Sequence, residues 1–190
     1  LALQPPEFLR YRLTGVAATD LSGASRTLLF SSRQRVWSKQ LLKLCDLSAD
    51  NLPKPMPAGS LIGRVDERAA RQCGLPAGTP VIAGATAPIA TALATGADRA
   101  GEVTFELGGD GGVLCLDRSY HRCAPGLDTG CHGDLWSLQA HAVSPTTGID
   151  WLMQTVLPAE VQQARRRKRD PLDHLAEIAA EIRPGDRKSV

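Results

Sequence analysis

From Thr79 to Leu116 the sequence sets apolar runs against glycines in an order that leaves few architectures open. Thr79-Pro80-Val81-Ile82-Ala83-Gly84 is a short apolar run between a proline and a glycine, and it reads as a buried strand. Pro88 to Thr95 follows as a helix of small residues, with proline in its first turn and Gly96 at its end. Glu102 to Leu107 alternates at period two, Gly108 to Gly112 interrupts it, and Val113 to Leu116 resumes, which makes a hairpin with a glycine-rich tip. This succession is that of an α/β chain. Glycines at a hairpin tip let backbone N–H groups approach an anion, and a nearby helix start adds positive potential. The same glycines serve equally well as a plain turn.

The chain before this region reads as helices joined by loops. Ser38 is placed to cap a helix through Lys43, and Pro53, Pro55 and Pro57 then enforce an extended linker. A helix from about Asp66 to Cys73 opens with two acids and closes at Gly74. Beyond the hairpin, Leu135 to Ala140 reads as a strand and Gly148 to Leu157 as a helix carrying Ile149, Leu152, Met153 and Val156. The last helix is the most fully specified. Asp170 caps it, Pro171 takes its first position, and Leu172, Leu175, Ile178, Ala179 and Ile182 form one stripe.

Composition removes several function classes. The chain has 190 residues and no apolar run long enough for a membrane span. Its five cysteines are an odd set without a C-x-x-C pair, which disfavours a disulfide framework and a structural zinc site and points to a reducing cytoplasm. Aromatic residues are 4% of the chain, too few for a base-stacking platform, so no nucleic-acid partner is expected. The net charge of +2 is a local effect: Arg165-Arg166-Arg167-Lys168-Arg169 holds five of the 22 basic residues, and the rest of the chain is net acidic. That run reads as a solvated connector before the last helix, with a nucleic-acid or anionic-surface patch as the alternative.

Several segments resemble the FGGY carbohydrate kinases. Arg10-Tyr11-Arg12-Leu13-Thr14-Gly15, then Ala18-Thr19-Asp20-Leu21-Ser22-Gly23-Ala24-Ser25-Arg26-Thr27-Leu28-Leu29-Phe30, is similar to one such stretch. Trp37-Ser38 with Leu41-Leu42, Gly74 to Val81, Gly101-Glu102-Val103 and Trp151-Leu152 follow in the family's order. The resemblance implies the actin-like, ribonuclease-H-like ATPase fold, in part, spanning the junction of two domains. Residues 1–85 would be the C-terminal part of the first domain, and 89–190 the N-terminal part of the second. It further implies phosphoryl transfer from ATP, with Mg²⁺, to a hydroxyl of a sugar or polyol, with a pentulose such as xylulose favoured. The family's opening phosphate motif and its late adenosine-binding segment are missing from these residues, so the chain reads as a central slice of a longer protein that binds ATP poorly by itself. Members of the family often dimerise, which makes a homodimer an open expectation.

The sequence departs from the family at two places. The resemblance puts a general-base aspartate at the start of the second domain, where a carboxylate would take the proton of the attacking hydroxyl. Here the stretch is Gly84-Ala85-Thr86-Ala87-Pro88, and Ala87 has no proton acceptor. At the phosphate loop the chain has Gly108, Gly109, Asp110 and Gly111, so hydroxyl donors are missing and a carboxylate has arrived that would repel phosphate. These four residues are the candidate cofactor-binding positions of a degenerate loop, and no catalytic residue or metal site is assigned. The alternative to an active kinase is a catalytically inactive sugar-binding or regulatory homologue, and a decayed reading frame stands third. Thr19, Asp20, Ser22 and Ser25 cluster as in a site but also as in a capped turn, which is the preferred reading. His121, Cys123, Cys131 and His132 lack chelating spacing. His141 reads as an ordinary strand-end residue and His174 as solvated.

Overall fold

The computed structural model describes residues 1–107, 111–122, 124–141 and 145–182. The chain forms two compact units, one of Leu1–Glu106 with Gly112–Ala142 and the other of Leu107–Gly111 with Val143–Val190. The domain junction expected between residues 85 and 89 falls within the first of these units.

The first unit opens with α1 (Pro5–Thr14), where Pro5 and Pro6 fit a first turn whose N–H groups need no intrahelical partner, and Gly15, at φ +73°, ends it. β1 (Ala18–Asp20) runs directly into the short helix α2 (Leu21–Ser25). A small hairpin, β2 (Phe30–Ser31) with β3 (Val36–Trp37), leads to α3 (Lys39–Leu44), whose cap is Ser38 accepting the Leu41 N–H as the sequence suggested. The proline segment is extended but is more than a linker. β4 (Lys54–Met56) pairs in parallel with β1, Pro55 standing opposite Thr19. β5 (Leu61–Arg64) and β6 (Pro80–Ile82) pair antiparallel around α4 (Glu67–Cys73), which has Asp66 as N-cap and Gly74 as C-cap.

The strand at 80–82 forms where expected, yet it is not buried. Ile82 is 54% exposed and only the following Ala83 is enclosed. The reason is its place in a two-stranded ribbon, which leaves a face without a covering layer. α5 (Ala87–Ala94) then packs on an antiparallel sheet of β7 (Val103–Glu106), β8 (Gly112–Asp117), β9 (Leu127–His132) and β10 (Leu135–His141), in the order β7-β8-β10-β9. Ile89 and Ala92 of the helix bury against Leu114 and Leu116 of β8, with Ala97 completing the cluster. Ala18, Ile62 and Ala83 form a second cluster, and Ala24, Phe30 and Cys131 a third that joins α2 to the sheet.

Residues 145–182 of the second unit are mostly helical. The helix expected from Gly148 begins earlier, as α6 (Pro145–Trp151), and continues as a π-helical turn at Leu152–Val156. Leu157 N–H donates to Leu152 C=O at 2.9 Å, closing the wider turn just ahead of Pro158, which has no N–H to offer. Ile149, Leu152 and Val156 are exposed. α7 (Pro158–Arg166) takes in the first two residues of the basic run, while all five stay exposed and residues 167–169 connect it to the next helix. Arg165 and Arg166 form its last turn, where cations suit the carbonyl end of the helix. Lys168 turns the chain at φ +55°, and Arg169 pairs with Glu177 of α8 (Pro171–Ala180). Asp170 accepts the Leu172 N–H at 2.7 Å, the cap read from the sequence. His174, expected to be solvated, instead has its Nε2 enclosed without a hydrogen-bond partner among the described residues. Among those residues no helix is long and apolar enough to cross a membrane.

Candidate functional site

The turn from β6 into α5 is held from below by a buried polar network. Gly84 sits at φ +75°, a conformation side chains resist, and a Cβ on it would also come within 3.3 Å of Arg10 Nη1. Arg10 reaches from α1, donates to the Ala83 carbonyl and places its other terminal nitrogen 3.6 Å from the Asp20 carboxylate. Asp20 is the N-cap of α2. Its Oδ1 accepts the Gly23 N–H at 2.7 Å and the Ser22 hydroxyl at 2.5 Å. Ser22 Oγ in turn accepts the Thr86 N–H at 2.9 Å, so the cap of one helix fixes the start of another 64 residues away. Glu7 completes the network, accepting the Thr19 hydroxyl and the Gln4 N–H. Glu7, Thr19, Asp20 and Ser22 are all buried.

The capped-turn reading of Thr19, Asp20, Ser22 and Ser25 therefore describes the local structure, with Ser25 Oγ donating to the Leu21 carbonyl at 2.7 Å. What it lacked was reach. Glu7 and Arg10, which the sequence did not single out as site residues, tie that turn to α1 and to Ala83. Arg10 lies in the segment that resembles the kinase family, and that was the one available signal.

Ala87 is the first residue of α5 and is exposed. Thr86, just before it, is the N-cap in extended conformation, but its Oγ1 is buried and makes no hydrogen bond among the described residues. Among the described residues no carboxylate replaces the missing one. Asp98 lies beyond the far end of α5, where it is 3.6 Å from Arg99. Asp20, linked to the turn through Ser22, has both oxygens committed to Arg10, Ser22 and Gly23. The turn thus offers backbone and hydroxyl groups but no proton acceptor at position 87.

Of the proposed phosphate-loop positions, Gly108, Gly109 and Asp110 lie outside the described residues. Gly111 is buried at the entry to β8. The glycine beside it answers to packing: a Cβ on Gly112 would stand 2.6 Å from the Ala140 carbonyl oxygen of β10. Among the described residues no three His, Cys, Asp or Glu side chains converge as a metal would require, so no residue here is assigned to Mg²⁺. His121 Nε2 lies 2.9 Å from Asp117, and His141 Nε2 lies 3.3 Å from Asp128. Cys123 lies outside the described residues. Burial pushes the Cys131 thiol above its usual range, and its S–H faces the Ser32 carbonyl at 3.4 Å. Burial likewise holds His132 below the ordinary imidazole value.

Residues 1–94 match the model of the N-terminal domain of the FGGY family of carbohydrate kinases. The chain belongs to that family. It is 29% identical over 152 residues to the xylulose kinase of Escherichia coli (strain K12), covering 78% of the chain and 31% of that relative. It is 30% identical over 183 residues to the autoinducer-2 kinase of Yersinia pestis (strain Pestoides F), covering 94% and 34%. The structure is similar to that of xylulose kinase from Rhodospirillum rubrum, with a TM-score of 0.78 and 26% identity over 95% of the chain and 36% of that structure. Plasmodium falciparum glycerol kinase with ADP shares the fold at a TM-score of 0.70 and 20% identity, covering 87% and 35%. The chain thus spans about a third of the length of the curated relatives it matches, 31% and 34% in these two. Its fold is part of the actin-like ATPase fold of these kinases.

Proposed function

We propose that this FGGY segment supplies the junction of an ATP-dependent carbohydrate kinase, acting on a pentulose such as xylulose in the cytoplasm, and that Ala87 leaves it without the base for phosphoryl transfer. In this reading residues 1–85 end the first kinase domain and 89–190 begin the second. The carrying observation is the turn at Gly84–Ala87, where the backbone is held by Arg10 and Ser22 as a working site would be, yet the first residue of α5 is alanine. A sugar hydroxyl is a weak nucleophile until a carboxylate within hydrogen-bond reach accepts its proton, and a positioned base contributes roughly 10²–10⁴-fold. ATP and Mg²⁺ would supply the phosphoryl group and neutralise its charge. No described residue is given that task.

The test uses a full-length relative. The segment of the Escherichia coli xylulose kinase aligned with residues 79–95 is replaced by the present sequence, and xylulose phosphorylation is assayed. The graft loses roughly 10²-fold or more in kcat, the contribution of a base, and Ala87→Asp within it recovers most of that loss. A graft that works at the parental rate sinks the reading, as does a folded graft that Ala87→Asp leaves inactive.

A further inference from the structure

Within the first unit, α2 and the β9–β10 hairpin enclose a cavity of about 620 Å³ that the kinase reading does not use. Polar and apolar side chains share its lining, Leu28, Phe30 and Leu127 among the apolar ones. Arg26 at the end of α2, Ser31 of β2, Tyr120 and Arg122 ahead of β9, Asp128 of β9 and Gln139 of β10 all contribute to it. Gln139 is only 5% exposed. Its Nε2 donates to Ser137 Oγ at 3.0 Å, while its Oε1 is buried with no partner among the described residues. A buried amide oxygen left unpaired is costly, and a donor brought by a ligand hydroxyl would satisfy it.

The charges at the cavity are uneven. Arg26 and Arg122 form no ion pair among the described residues, whereas Arg10, Arg35, Arg71, Arg99 and Arg169 each do. Asp128, the carboxylate in the lining, is already engaged by His141 at 3.3 Å. A second cavity shares Ser31, Tyr120 and Arg122 with the first and adds Arg33, which also has no ion pair among the described residues. Three guanidinium groups with no ion pair among the described residues therefore border two adjoining cavities, and guanidinium is the side chain that holds phosphate oxygens in bidentate fashion.

We propose that this cavity binds the phosphate ester of a small polyol, with its phosphate among Arg26, Arg33 and Arg122 and its hydroxyls toward Ser31 and Gln139. Ser22 also lines the cavity, and its hydroxyl holds the Thr86 N–H, so the bound ester lies against the network that sets the turn before Ala87. The site needs no base at position 87, and it stands whether or not the graft experiment succeeds.

Titration calorimetry on the 190-residue chain tests it with three probes: a pentose 5-phosphate, the free pentose and inorganic phosphate. The ester binds, and each of the other two binds at least roughly tenfold more weakly, because each keeps only one half of the contacts. Arg26→Ala and Arg122→Ala, both at exposed positions, each weaken the ester by roughly tenfold or more without lowering the unfolding temperature. Gln139→Leu weakens the ester but not inorganic phosphate. Arg68→Ala, on the exposed face of α4, changes nothing. The proposal is overturned if the ester does not bind, if inorganic phosphate binds as tightly as the ester, or if the two arginine variants bind like the parent.

Discussion

At the scale of single residues, Arg10 has the widest structural role. It is the positive charge facing Asp20, with side-chain exposures of 12% and 6% for the pair, and it also satisfies the Ala83 carbonyl at the β6–α5 turn. A buried pair of this kind adds little compared with a well-packed apolar substitute, but removing one member strands the other. Arg10→Met therefore destabilises the first unit by about 3–5 kcal/mol. Adding Asp20→Asn recovers part of that loss, since a neutral amide can still accept from Gly23 and Ser22. Urea unfolding of the two variants and the parent measures both values. An Arg10→Met variant as stable as the parent would show that water, not Arg10, solvates Asp20.

Among the elements, those with local signals were legible and those made by distant partners were not. The caps Ser38, Asp66 and Asp170, the closing Gly74 and the proline at the start of α5 each act on their own helix within a few residues, so the sequence displayed them. β4 was hidden because its three residues sit among prolines, and only β1, 36 positions earlier in register, makes them a strand. The buried network under the turn was hidden for the same reason, since Arg10 acts on a carbonyl 73 residues away. Ala87 was readable only because a family pattern told which residue to expect there. The closing glycine of α4 gives a direct check on the local signals. Gly74 is at φ +77°, its N–H bonds the Ala70 carbonyl at 2.9 Å, and a Cβ there would touch nothing within 4 Å. Gly74→Ala thus meets backbone strain alone and costs about 1 kcal/mol, while Gly74→Asn costs less because asparagine tolerates the left-handed region better. Equal losses for the two in thermal unfolding would mean that the strain is not at this cap.

Across the whole chain, stability is unevenly provided. The three apolar clusters all belong to the first unit, where α5 lies on the four-stranded sheet and α2 joins it through Ala24 and Cys131. In the second unit Ala164 is the buried apolar residue among those described, and Trp151, Leu172, Ile178 and Ile182 remain largely exposed. The stripe of α8 is well formed in sequence, with its cap and first-turn proline in place, but within its own unit it buries little. Helices of ten residues or fewer draw their stability from the face they bury more than from propensity, so α6, α7 and α8 should open far more easily than the sheet. Native-state hydrogen exchange separates the two cases. Amides of residues 145–182 exchange at least roughly 100-fold faster than those of β8 and β10, through local opening that leaves the first unit intact. Comparable protection in both regions would mean that the helical unit draws on packing beyond its own described contacts, and the stripe at Leu172 and Ile178 would be the first place to look for it.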